Sequence, residues 1–140
     1  MSSAENKALV RRWYEEALNA RNLAVADEIL APGFVINGET IGPEGMKQAA
    51  LWVRSIFPDI QVEVEDVITE ADMVVTRWTA HATHQGEFEG ILPTGKPVTL
   101  TGIHIDRIAG GKIAERWENA DVFGLMQQLG VSLQPRQADS

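Results

Sequence analysis

The chain has 140 residues, 44% hydrophobic and 23% charged, with no cysteine and a formal net charge of −8. That length can bury one core unaided, the missing thiols exclude disulfides, zinc–thiolate centres and cysteine nucleophiles, and the acidic balance opposes binding to phosphate backbones or anionic lipid surfaces. No apolar run approaches the roughly 18 residues of a membrane span and the opening MSSAENKALV lacks a signal-peptide core, so neither nucleic acid nor membrane is expected as a partner and the expected location is cytoplasmic.

Ser2-x-x-Glu5 is a capping-box pattern, and Leu9, Val10, Trp13, Tyr14, Ala17 and Leu18 follow on one helical face. Asn22 can cap a second, short helix that turns Leu23, Ala26, Ile29 and Leu30 inward and ends at Pro32-Gly33, after which Phe34-Val35-Ile36 reads as a strand. Gly42-Pro43 opens a third helix that runs to Pro58 with Met46, Ala50, Val53 and Phe57 at helical intervals. From Ile60 the period changes to two, and three further runs rich in Val, Ile, Thr and Trp follow over 73–83, 97–108 and 112–120. Short connections make these an antiparallel meander, and a closing helical segment covers 122–129. The expectation is one α+β domain over residues 1–133, a twisted sheet curled around the helices with a cavity at its open end, and a loose tail over 134–140.

Several motifs have an ordinary reading. Gly90 to Lys96 fits G-x-x-x-x-G-K, but Pro97 stands where a phosphate-binding loop needs Ser or Thr, and a strand rather than a helix follows, so a hairpin loop is expected. His81 and His84 are three apart on a strand and point to opposite faces, which makes a shared metal improbable; no metal site is expected. No G-x-S-x-G elbow is present. Acid–base chemistry by a carboxylate, histidine or tyrosine in an apolar pocket is what the residue inventory leaves.

The stretch GIHIDRIAGGKIAERWENAD, residues 102–121, carries the strongest candidates. A two-residue turn at Gly110-Gly111 pairs Ala109 with Lys112, and counting outward sets His104 opposite Trp117 and Gly102 opposite Asn119. His104, Trp117, Asn119 and Asp121 then share the pocket face, while Ala114, Arg116, Glu118 and Ala120 take the wetter one. In that register Asp121 lies about 13 Å along the strand from the point opposite His104, so the two share a pocket without touching. Asp121 also precedes the last helical pattern, where aspartate is a favoured cap. His104 is open to a plain core role, as are Trp78 and Trp117, although four tryptophans in so small a chain could wall a planar ligand.

Residues Gly86 to Gly130, through Thr83-His84-Gln85-Gly86, Pro93-Thr94-Gly95-Lys96, Gly111-Lys112-Ile113 with Glu115 and Trp117, and Asp121 leading to Gln128-Leu129-Gly130, resemble the SnoaL-like polyketide cyclases or ester cyclases of the nuclear-transport-factor-two-like superfamily. The resemblance implies a cone-shaped α+β barrel, a homodimer, and ring closure by an intramolecular aldol reaction with no cofactor and no metal. It implies Asp121, following W-x-x-x, as the acid/base, with a weaker transfer for His104 as its assistant. The expected substrate is a small hydrophobic compound bearing a carbonyl. Asn119 could help position it, and Asn37, Phe34, Trp78, Trp117 and Tyr14 would line the pocket. Epoxide hydration or ketone isomerisation on the same fold, with Glu115 and Tyr14 as the residues to inspect, is the second reading. A non-catalytic module that binds a small ligand or a protein is the third.

Overall fold

The computed structural model describes residues 1–132; the tail expected over 134–140 lies outside them. Helix α1, Ser3–Arg12, starts with the complete capping box, Ser2 accepting from the Glu5 amide and Glu5 reaching back to the Ser2 amide. It runs on as a π-helical stretch, Trp13–Asn19. The wider π turn brings the neighbours Trp13 and Tyr14, together with Ala17, against the sheet, and all three are buried. Asn19 anchors the end of this stretch by bonding both the N–H and the C=O of Val62, each at 2.8 Å.

Helix α2, Val25–Ile29, is shorter than the sequence pattern suggests. Asn22 caps it through its backbone carbonyl rather than its side chain, and strand β1, Leu30–Ile36, begins at once and carries Pro32-Gly33 within it. The two-residue β2, Glu39–Thr40, and helix α3, Gly42–Ile56, follow, and then β3, Gln61–Glu70, β4, Met73–Thr83, β5, Pro97–Ala109, β6, Lys112–Ala120, and helix α4, Val122–Gln128.

The strands form one curved, unclosed sheet in the order β2-β1-β6-β5-β4-β3. Strands β3 to β6 are the antiparallel meander read from the sequence. What alternation could not show is that β1 joins β6 in parallel, through Val35 beside Glu115 and Ile36 beside Arg116. The helices pack on the concave face, where Val10, Ile29, Phe34, Val74 and Ile113 form the closed end of the core. A second cluster, Ile56, Phe57, Phe88, Val98, Leu125 and Leu129, gathers α3, α4 and the loop after β4 at the open end.

The register of β5 against β6 corrects the sequence reading. Ala109 does pair with Lys112, but Ile108 pairs with Ile113 and Arg107 with Glu115, which leaves Ala114 as an extra residue in β6. A one-residue bulge exchanges the faces of everything beyond it. His104 therefore lies opposite Glu118, Ile105 opposite Trp117 and Gly102 opposite Ala120. Arg116, Glu118 and Ala120 face the concave side, whereas Trp117 and Asn119 are exposed on the convex one. The face expected to be wet is the lined one.

Between the helices and the open end of the sheet lies a cavity of about 310 Å³. Gly90 to Lys96 contains no helix: a short bridge joins Phe88 and Ile91, and Phe88 reaches the cavity wall. His84 is fully buried behind this loop and holds it by accepting the Thr94 amide N–H at Nδ1, 3.1 Å.

Candidate active site

The cavity wall is apolar over most of its area, with α3 supplying Met46, Ala50 and Val53 and the sheet supplying Val62, Ala80 and Leu100. Apart from Arg54, which donates to the Ala17 and Leu18 carbonyls, its titratable side chains gather where Tyr14, His104, Arg116 and Glu118 meet. The Tyr14 hydroxyl stands 2.5 Å from His104 Nδ1, and His104 Nε2 stands 2.5 Å from Glu118 Oε2. Both bonds are satisfied at once when Tyr14 O–H donates to an unprotonated Nδ1 and Nε2–H donates to the carboxylate. Asn37, in a left-handed turn conformation at φ 48°, fixes the strand at this point: its side chain accepts the Glu118 amide N–H at 2.9 Å.

Burial lowers the pKa of His104, the positive charge of Arg116 adds to the effect, and the Glu118 contact opposes both. The hydrogen bond from His104 holds the Glu118 carboxyl below the usual range against its own partial burial. Burial raises the pKa of Tyr14 and so keeps its hydroxyl protonated. The resting state these directions describe is a neutral imidazole between a phenol and a carboxylate. Glu118 is the one carboxylate among the described lining residues.

Beneath the couple lies a buried ion pair. Asp106 and Arg116 have fully buried side chains, with Nε to Oδ1 at 2.6 Å and Nη2 to Oδ2 at 3.2 Å. The guanidinium carbon lies 5.3 Å from the Trp13 ring centre and 6.0 Å from that of Tyr14. Trp78 covers the other side of His104 with ring centres 5.4 Å apart. Its six-membered ring rests on Gly102, where a Cβ would meet Trp78 at 2.2 Å.

Of the residues singled out from the sequence, Tyr14, His104 and Trp78 come together at the wall. Phe34 is buried in the core behind it, and Asn37 acts on the backbone of Glu118. Trp117 and Asn119 point away, and Glu115 pairs with Arg107 at 3.3 Å on the convex side. Asp121 is exposed at the amino end of α4, its Oδ1 accepting the Gly124 amide N–H at 2.8 Å, three residues past the partner of His104. Sequence reasoning missed Glu118, Arg116, Asp106 and Trp13. One signal was present: Gly102, His104, Asp106 and Ile108 alternate on β5, and Arg116 and Glu118 complement that face once Ala114 is counted as a bulge.

A curved sheet folded over helices, with a carboxylate–imidazole–phenol cluster at the wall of an apolar cavity, defines the class as a small α+β pocket protein. Residues 8–129 match the family model of the SnoaL-like polyketide cyclases, and the chain belongs to that family. An aklanonic acid methyl ester cyclase of Streptomyces galilaeus is 32% identical over 133 residues, 91% of this chain and 92% of that one. The nogalonic acid methyl ester cyclase of Streptomyces nogalater is 29% identical over 74% of this chain and 78% of its own. Among solved structures, IdmH of Streptomyces antibioticus, described as a polyketide cyclase, superposes with a TM-score of 0.81 at 31% identity, covering 90% of this chain and 99% of that one. AclR of Streptomyces galilaeus, described as a hydroxylase, superposes equally well, with a TM-score of 0.81 at 32% identity over 92% and 98% of the two chains.

Proposed function

We propose that this chain is a polyketide cyclase that closes a ring by an intramolecular aldol reaction, with Glu118 as the acid/base and His104 and Tyr14 as its support. The observation that carries the reading is the Glu118 carboxylate at the cavity wall, hydrogen-bonded to a buried imidazole whose other nitrogen is occupied by Tyr14. Glu118 removes a proton from a carbon next to a carbonyl, and the C–H electron pair becomes the enolate. The enolate carbon attacks a second carbonyl of the same molecule, and the new alkoxide takes the proton back from Glu118. Atoms and charge balance without an added reagent. The apolar wall excludes water, which would otherwise quench the enolate.

The lowered pKa of Glu118 narrows the substrate. A weakened carboxylate matches an acidic C–H, one flanked by two electron-withdrawing groups, better than the C–H of a simple ketone. The cyclases named for aklanonic and nogalonic acid methyl esters make those two esters the first substrates to test. Turnover to an isomeric product supports the reading. Glu118→Gln is expected to lose at least about a hundredfold in turnover, while Asp121→Asn stays within a few-fold. The reverse pattern would return the proton transfer to Asp121, as the W-x-x-x-D spacing suggests.

The likeness to AclR favours one second reading, hydroxylation at the same activated carbon. That is a two-electron oxidation that requires dioxygen as the oxygen source and a two-electron reductant as co-substrates, with the second oxygen atom leaving as water. Deprotonation is common to both, and the product separates them: ring closure gives an isomer, whereas hydroxylation adds an oxygen atom. We further propose that the convex face pairs with a second copy of the chain. Ile103, Ile105 and Trp117 stand on it at 46%, 36% and 37% exposure.

A further inference from the structure

The mechanism above leaves two fully buried charges unused. Asp106 and Arg116 form a fork with no exposure on either side chain. A buried pair of this kind carries a large desolvation cost, and well-packed apolar side chains in its place are often as stable. Stability therefore does not account for it, but its position does. Asp106 is two residues from His104 and Arg116 two residues from Glu118, so all four share the concave face of adjacent strands. Arg116 lies against the ring of Tyr14, and the Tyr14 hydroxyl bonds His104. Arg116 Nη1 is buried without a hydrogen-bond partner among the described residues, so its charge is not fully spent on Asp106.

We propose that the Arg116–Asp106 pair is a positioning device: it fixes a positive charge behind Tyr14 and His104, so that the imidazole stays uncharged and Glu118 is the group that takes the proton. The inference rests on the role proposed for Glu118. Either member of the His104–Glu118 couple could in principle serve as the base. A doubly protonated imidazole would present N–H to the Tyr14 hydroxyl in place of an acceptor and would bind the Glu118 carboxylate in an ion pair, withdrawing it from the substrate. The groups that face His104 are Tyr14 from the π-helical stretch, Asp106 from its own strand, and Arg116 and Glu118 from β6; Thr76 and Trp78 on β4 do not titrate. Glu118 favours a second proton on His104, and Asp106 does so weakly because it is bound to Arg116. Burial and Arg116 oppose it, and they prevail.

The test needs no substrate. Nitrogen NMR of the full chain, with His104 assigned through a His104→Gln sample, reads which ring nitrogen carries the proton and at what pH the second one arrives. In the wild type Nε2 is expected to be protonated and Nδ1 bare, with the second proton arriving below the midpoint of free imidazole added to the same sample. Removing the charges together in Asp106→Leu/Arg116→Met, which leaves neither one buried alone, should raise the proton affinity of His104 about tenfold or more. Arg116→Lys keeps the charge without the fork and should keep the affinity low. The inference is overturned if wild-type His104 titrates with or above free imidazole, or if the double variant leaves its titration unchanged. The wild-type result stands even if the double variant does not fold. Failure of the Glu118 reading shows elsewhere, as turnover retained in Glu118→Gln.

Discussion

At the residue scale, two side chains show how local contacts divide structure from chemistry. Asp121 is held by the Gly124 amide, and a Cβ on Gly124 would lie 2.3 Å from its Oδ2. Glycine and aspartate at these positions belong to one cap. Asp121→Ala should therefore cost about 1 kcal/mol of stability, read as a lowered urea midpoint, while turnover per folded molecule changes little. Gly102→Ala acts on the other side of the wall. The added methyl must push Trp78 off β5 and toward the cavity, so a loss of about 1–3 kcal/mol and a raised KM are expected. Calorimetry and steady-state kinetics on the same sample read both, and an unchanged KM would show that Trp78 does not shape the pocket. His104, Tyr14 and Trp78 could be picked out from the sequence because each is a polar or aromatic residue on an inward-facing period. Glu118 could not, because charge on a strand ordinarily means solvent and its inward direction depends on a neighbouring irregularity.

At the element scale, that irregularity is the bulge at Ala114. The spans of β4 and β6 follow directly from alternation, turn residues and β-branched composition, and those are local properties of the chain. Register is not local, since it depends on a residue that both neighbours of β6 leave unpaired; the β1 pairing shifts over the same part of β6. The π-helical stretch is similar, because its sequence reads as an ordinary amphipathic helix while its wider turn depends on packing. Deleting Ala114 should test the bulge directly. Without the extra residue Glu115 follows Ile113, and a regular hairpin keeps Arg107 opposite Glu115 and His104 opposite Glu118, so Glu118 stays on the concave face. Turnover should therefore be retained within a few-fold, while the β1 pairing, which shifts over the same part of β6, must readjust and thermal stability should fall. A folded deletion variant with turnover at background would mean that the bulge does more than absorb one extra residue.

At the scale of the whole molecule, net charge and the two faces of the sheet set the behaviour in solution. His104 has a lowered folded pKa, so as pH falls through the ordinary histidine range the unfolded chain binds a proton that the folded chain rejects, and stability falls, by up to about 1.4 kcal/mol per pH unit. Glu118, ionised in the fold and also lowered, contributes in the same direction at lower pH. Urea unfolding across this range should show the slope, and His104→Gln should flatten its upper part. The convex face carries the other consequence. Val75, Ile105 and Trp117 form one row across three strands, with Ile103 beside it. In the middle of β5 the outward Ile103 and Ile105 alternate with the inward, polar His104 and Asp106. Charged residues border this row, with Arg77 beside Ile103 and the Arg107–Glu115 pair next to Ile105 and Trp117, and a self-complementary patch closes with two-fold symmetry. A stable pair needs about 800 Å² from each copy, which demands most of the exposed β4–β6 surface. Light scattering on the purified chain should give twice the monomer mass at micromolar concentration. Ile105→Glu places two unpaired carboxylates in the middle of the contact and should return the monomer without touching His104 or Glu118. A wild-type chain that runs as a monomer at these concentrations would remove the second copy from this face.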